Sequence, residues 1–307
     1  MSVTAIVLIT LSAFAHALWN LIGKRQNPSA AFFLIASTCA ALATLPLVIH
    51  FKYMLSLVPG SVWLLLCLTG ICQSVYYIGL AAAYRSGDVS VVYPLVRALP
   101  VVLVALVSTI LGIGKPLNLQ GVGGILAIVA GCLVIPLRTL RGSSYWKMHR
   151  RDFLTTSYLL VFVAALGTCG YTLIDNEALR QLRSLPGIGM GNTEITLIFL
   201  ALENITTALA LAGYVLISVK ERRGMKMVWK SGWLIAGMTG LLITGTYGLV
   251  LVAMAYVTNV SYLAAFRQMS IPLGALMGIL IQREPANLPK VLGIAVVCTG
   301  LILVGFA

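Results

Sequence analysis

Two arginines, Arg97 and Arg267, stand 170 residues apart, each about eight residues into an apolar run. A guanidinium stays charged and offers planar, bidentate donors that match a carboxylate, phosphate or phosphonate. Burying one in hydrocarbon costs about 2.5–3.5 kcal/mol on insertion scales, so two at matching places imply either a ligand or a built-in partner. The sequence supplies candidate partners in Glu203, Asp88 and the carbonyls freed near Pro94 or Pro272. Substrate contact and internal pairing therefore both stand open.

Other polar groups share this setting. Glu203, followed by Asn204, lies about ten residues into an apolar run that begins at Thr193, where a carboxyl serves either as a proton carrier or as a counter-ion. Ser12, His16, Trp19, Asn20 and Gly23 follow helical spacing along one face. His16 is either a proton-linked contact, since imidazole titrates near physiological pH, or a neutral partner between helices. Trp19 either touches substrate or anchors packing, and Asn20 is open in the same way. Gln73, Tyr77, Tyr93, Tyr171 and Tyr247 complete the candidate binding set, because a tyrosine near the midplane gives a hydroxyl and a ring at once. Thr168, Tyr171, Thr172 and Asp175 repeat the stripe on a later helix, with Asp175 read as a solvated carboxylate at the helix end.

Composition dictates what holds these groups. In 307 residues, 60% are hydrophobic, 9% are charged and mean hydropathy is +0.99, more apolar surface than a soluble globule can hide. The net charge of +13 then points to basic cytoplasmic loops and not to nucleic acid. Ten apolar runs, at about 3–22, 30–51, 61–84, 89–111, 118–137, 153–176, 194–219, 232–257, 260–282 and 289–306, are near the length of a membrane-spanning helix. The fold class expected is all-α integral membrane, because backbone groups in lipid must be satisfied within each segment. The six cysteines sit inside apolar stretches without metal-ligand spacing and read as small core residues. Met1-Ser2-Val3 lacks a basic leader and the apolar run continues to Ile22, so the first segment is expected to be retained.

Loops after odd-numbered helices hold Lys24, Arg25, Arg85, Arg138, Arg141, Lys147, Arg150, Arg151, Lys220, Arg222, Arg223, Lys226, Lys230, Arg283 and Lys290. Those after even-numbered helices hold Lys52, Lys115, Arg180 and Arg183. The positive-inside rule then puts both termini outside.

The chain also matches itself. Trp63-Leu64 answers Trp233-Leu234, Thr69-Gly70 answers Thr239-Gly240, Tyr77 answers Tyr247 and Arg97 answers Arg267, all at an offset of 170. Pro116 and Gly131 answer Pro285 and Gly300 at 169. A five-plus-five repeat with an odd helix count per half is an inverted repeat, an arrangement in which transporters place substrate near the midplane. The expected units are 1–137, a basic cytoplasmic linker 138–152, and 153–307.

The run Gly87 to Leu95 with Pro100 and Gly121 to Ile135, and its second copy from Asn259-Val260-Ser261 through Arg283-Glu284-Pro285 to Gly300, resemble the EamA-type repeat of the drug/metabolite transporter superfamily. The resemblance covers essentially the whole chain. It implies ten helices, the first four of each repeat lining a central cavity and the fifth packing outside. Lys115 departs from it where such sequences often carry Glu, and members are often drawn with cytoplasmic termini, against the charge count. The opening Ala15 to Lys24 is similar to the start of membrane proteins associated with phosphonate use, and to the first helix of small multidrug exporters, whose glutamate aligns with His16.

The function expected is secondary transport of a small anionic or zwitterionic metabolite, such as a phosphonate, phosphate ester, carboxylate or amino acid, by alternating access. Export of amphipathic or cationic compounds is the alternative, and a membrane enzyme or flippase for lipid-linked substrates fits less well because His16, His50 and His149 are isolated. No phosphate-cradling GxxxxGK[ST] loop is present. Neither an enzyme activity nor a cofactor or metal is expected. The expected setting is the cell membrane, the inner membrane if the source is bacterial, as monomer or homodimer.

Overall fold

A computed structural model describes residues 1–23, 29–86, 89–135, 137, 156–186, 189–281, 283 and 285–307, excepting the side chains of 18–23, 89–91 and 93. The calls on Trp19, Asn20, Tyr93, Asp88 and the linker 138–152 lie outside what is described. All regular structure among the described residues is helical: α1 Val3–Gly23, α2 Ala30–His50, α3 Lys52–Leu55, α4 Gly60–Ser86, α5 Val89–Ile110, α6 Leu119–Val134, α7 Thr156–Arg183, α8 Asn192–Ile217, α9 Val219–Ser231, α10 Trp233–Ala253, α11 Val260–Phe266, α12 Ser270–Leu280 and α13 Leu288–Phe306. Short 3₁₀ turns follow α10 at Met254–Tyr256 and join α11 to α12 at Arg267–Met269.

Seven stretches are long and apolar enough to cross a bilayer, and shorter apolar helices cover Val3–Ala17, Pro94–Ile110 and Leu119–Val134. Large apolar side chains face outward, Ile110 being 79% and Leu280 77% exposed, while Asp175, Glu203, Thr69 and Ser261 are buried. That inversion of the soluble pattern is what a lipid solvent requires. The protein is an all-α, multi-pass membrane protein. Cys67 and Cys298 lie on the exposed surface, correcting their assignment to the core: in lipid, an outward thiol costs little.

Three expected boundaries shift. The helix expected to end at 176 runs on to Arg183, so Arg180 and Arg183 belong to a helix and not to a loop. The basic stretch 220–230 is helix α9, started by Ser218, whose hydroxyl accepts from the Glu221 N–H at 3.3 Å. Its Glu221 is buried, accepting from the Ala31 N–H at 3.1 Å and facing Arg85 at 3.5 Å, which ties α9 to the ends of α2 and α4. The run expected as one helix over 260–282 is divided into α11 and α12 by the turn at Arg267–Met269, upstream of Pro272, and α12 continues through Gly274 and Gly278.

Small residues set the packing, as they do where helices meet without a hydrophobic drive. Gly70 of α4 rests on Thr206 of α8, and Gly240 of α10 on the Ala36 carbonyl of α2. Gly124 and Gly131 of α6 lie against Gly300 and Gly293 of α13, running antiparallel. At the other edge of the bundle the Lys115 N–H donates to the Thr258 carbonyl at 3.0 Å and the Asn259 amide to the Lys115 carbonyl at 2.7 Å, joining the α5–α6 loop to the start of α11.

A Cβ at Gly240 would collide with the Ala36 backbone, whereas Gly245 has nothing within 4 Å of that position. Gly240→Ala is therefore expected to cost about 1–3 kcal/mol by overpacking, and Gly245→Ala to leave stability level or raise it by up to ~1 kcal/mol through helix propensity. Thermal unfolding of the detergent-solubilised variants checks this. Equal melting points for Gly240→Ala and the unmodified protein would contradict the close α2–α10 contact.

Candidate functional site

A cavity of about 180 Å³ lies in the middle of the bundle. Its walls come from α1, α2, α4, α5, α7, α8, α10, α11 and the Arg267–Met269 turn, while no lining residue belongs to α6 or α13. The structure brings His16, Gln73, Tyr77, Arg97, Tyr171, Glu203, Tyr247 and Arg267 to this one wall, so eight of the residues singled out in the sequence share a single space.

Arg97 reaches from α5 to the first turn of α12, where its Nη2 donates to the Ser270 hydroxyl. Its Nε is buried without a hydrogen-bond partner. Arg267 sits on the 3₁₀ turn, shares the cavity wall with Tyr171 and lies 5.2 Å from the Tyr247 ring centroid, a cation–π distance. Among the described residues neither guanidinium has a carboxylate within ion-pair range. The proposed pairing with Glu203 is thus not a direct salt bridge; Glu203 acts on Arg267 through space. His16 faces the same pair of positive charges.

Aromatic rings form a continuous wall. Phe33 stacks on Tyr77 at 4.4 Å, Tyr77 tilts against Tyr76 at 5.2 Å, and Tyr76 meets Tyr171 edge-on at 6.0 Å. Tyr171 then meets Tyr247 at 5.5 Å and 90°. These stacked, tilted and edge-to-face contacts fix the ring positions along the wall.

Behind that wall is a carboxyl network. Glu203, 1% exposed, accepts from the Gln73 amide, and Gln73 in turn accepts from the Thr207 hydroxyl at 3.2 Å. Asp175 is fully buried, accepting from Thr69 at 2.5 Å and from the Tyr247 hydroxyl at 2.5 Å. A solvated Asp175 at a helix end is therefore incorrect: α7 extends two further turns, which places the residue inside the bundle. The stripe Thr168, Tyr171, Thr172, Asp175 carried that signal in its spacing. Gln268 was missed as a lining residue, since an isolated amide carries no spacing signal.

Four buried polar atoms on this wall have no hydrogen-bond partner among the described residues: the donors Arg97 Nε and Asn204 Nδ2, and the acceptors Glu203 Oε2 and Gln268 Oε1. Buried polar atoms are nearly always paired, so a cluster of unpaired ones around one space is the mark of a site built for a polar guest.

No family model matches the chain, and no curated protein matches it. Its fold does recur. A solved structure described only as "Crystal structure of protein" superposes with a TM-score of 0.65 over 98% of this chain and 97% of the other, at 14% identity. At that identity the likeness shows a shared fold and nothing of function.

Removing the donor to a buried carboxyl costs roughly 1–3 kcal/mol. Tyr247→Phe is expected to lose that amount and lower the melting temperature. Tyr214→Phe, at a surface position 38% exposed, should stay within about 0.5 kcal/mol. Indistinguishable melting curves for the two would mean that Tyr247 does not support Asp175.

Proposed function

We propose that the protein is a secondary transporter of the EamA type, in the drug/metabolite transporter superfamily, that moves a small anionic or zwitterionic metabolite by alternating access. The observation that carries this reading is the cavity in which Arg97 Nε, Asn204 Nδ2, Glu203 Oε2 and Gln268 Oε1 stand buried and, among the described residues, unpartnered. Donors and acceptors together suit a ligand that carries both an anionic and a donor group, with Arg97 and Arg267 for the carboxylate, phosphate or phosphonate. The rings of Tyr77, Tyr171 and Tyr247 would flank the ligand.

Packing supports ten helices arranged as an inverted repeat. Gly70 and Gly240 are 170 apart, and so are the residues they rest on, Ala36 and Thr206, with partners exchanged between halves. Gly124 and Gly293, and Gly131 and Gly300, are 169 apart and meet in the same exchanged way. Exchange of partners is what a two-fold axis between repeats 1–137 and 153–307 produces. The peripheral α6–α13 pair would then be the fifth helix of each half, consistent with its absence from the cavity wall. A helix interrupted beside the site, as at Arg267–Met269, is the usual device for presenting backbone and side chain to a substrate at the midplane.

The aromatic wall together with Glu203 supports a second reading, export of amphipathic or cationic compounds. A thermal-shift screen separates the two, because a ligand that binds the native state raises apparent stability by mass action. Methylphosphonate, phosphoserine, glycine and acetate represent the anions and zwitterions, and tetraethylammonium the cations. The transporter reading expects an anion or zwitterion to stabilise the native protein and Arg97→Ala and Arg267→Ala both to lose the response. Stabilisation by the cation alone, or unchanged responses in both variants, would overturn it.

A further inference from the structure

We infer that α9 is a binding surface for anionic phospholipid headgroups, laid along the membrane boundary and independent of what the central cavity carries. Its position is fixed by four membrane spans. Single residues, Ser218 and Gly232, join α9 to the end of α8 and the start of α10, and both neighbours are long and apolar enough to cross a bilayer. Glu221 ties the same helix to Ala31, at the start of α2, and to Arg85, at the end of α4, two further helices of spanning length. All four spans therefore end level with α9. A 13-residue helix, about 20 Å long, that is held at both ends and again at Glu221 has no slack to leave that level.

Its outward charge is unmet. Lys220, Arg222, Arg223, Lys226 and Lys230 are all exposed. The one acid of α9, Glu221, is buried and engaged by the Ala31 N–H. Among the described residues none of the five cations has a carboxylate in ion-pair range. A solvated surface helix gains stability from acids set three or four residues from its lysines and arginines. The exposed face of α9 has none, so its charges repel one another until an anion from outside meets them.

The apolar part of the same face decides which anion fits. Val219 and Met227 are exposed among the basic residues, and Trp229, 66% exposed, lies beside Trp233, 51% exposed, with ring centroids 6.5 Å apart. Arg222, Lys226 and Lys230 recur every four residues and Trp229 follows Lys226 by three, so the four share one side of the helix. Tryptophan favours the level where headgroups meet hydrocarbon. A free phosphate has no apolar part to place there, whereas a phospholipid brings a phosphate for Arg222 and Lys226 and a glycerol–acyl segment for Trp229. A headgroup without an ammonium fits best, because nothing within it offsets the phosphate charge that the basic residues attract.

Quenching of tryptophan by lipid brominated on its acyl chains reports contact directly. In detergent micelles the purified protein is expected to respond to brominated phosphatidylglycerol at many-fold lower lipid content than to brominated phosphatidylcholine, and high salt should shrink that preference. Each surface cation strengthens such binding by about fivefold, so Arg222→Gln, Lys226→Gln and Lys230→Gln combined should weaken the phosphatidylglycerol response by roughly a hundredfold. Lys115→Gln, an exposed lysine at the other edge of the bundle, should leave it unchanged. A variant with Trp229→Phe and Trp233→Phe together should lose the preferential quenching. If the triple variant does not fold, Lys226→Gln alone carries the test, with a weakening of about fivefold. Equal responses to the two lipids, a lipid preference that survives removal of the cations, or preferential quenching that persists without Trp229 and Trp233 would each overturn the assignment. Displacement of the brominated lipid by an equal concentration of glycerol phosphate would overturn it too, in favour of a free phosphate.

Discussion

Everything inside this bundle answers to one constraint: a charge taken out of water must be met by another charge or a full set of hydrogen bonds, and lipid supplies neither. With 9% charged residues, the protein concentrates its membrane-embedded charge at one level. Arg97, Arg267 and Glu203 come from three separate elements and converge on one space, and Asp175 lies behind its Tyr247 wall. Tyrosines, amides and hydroxyls fill the gaps, so that Thr69, Gln73 and Tyr247 each donate to a carboxyl. The helices must then sit close enough for short side chains to touch, which explains glycine where α2 meets α10 and where α4 meets α8.

That convergence also distributes roles unevenly between positions 170 residues apart. Phe33 and Glu203 are 170 residues apart, as are Tyr77 and Tyr247. Yet Phe33 stacks on Tyr77 while Glu203 joins the carboxyl network that Tyr247 also contacts. Related positions thus give an apolar ring on one side and an acid on the other. Arg97 and Arg267 keep the same chemistry, as Tyr77 and Tyr247 do, but the arginines differ in company, a hydroxyl for one and a tyrosine ring for the other. A ligand between them meets a polar gradient, acid-rich toward α7 and α8 and basic toward α5.

Much of the site was legible because membrane residence makes polar residues conspicuous. Arg97, Arg267 and Glu203 stood out against apolar neighbours, and helical spacing placed His16 on an inward face. Asp175 was misread for a local reason: the polar residues that follow it, Asn176 to Arg183, look like a loop, whereas they extend α7 through Glu177–Arg180 pairing at 2.6–2.8 Å and Arg183 bonding to Thr196 at 2.8 Å. Such contacts stabilise a helix end from outside its own apolar pattern, and a pattern reading does not contain them. Unpaired amides such as Asn204 and Gln268 gained meaning only when the cavity placed them together.

The break at Arg267 shows how one residue type links sequence to site. Proline at 272 has no N–H for the Gln268 carbonyl and crowds it, which weakens the α-helical turn before it. The chain tightens to a 3₁₀ turn over Arg267–Met269, and the Ser270 hydroxyl bonds back to the Arg267 carbonyl at 3.2 Å. Pro94 and Pro100 lie within α5, which nonetheless stays continuous, so proline alone does not dictate a break. The difference is what the interruption does. On the second half it swings Arg267 against Tyr247, and it starts α12 at Ser270, the residue that Arg97 reaches. The two arginines therefore meet at the same irregular turn, Arg267 standing within it and Arg97 bonded to the residue that follows it.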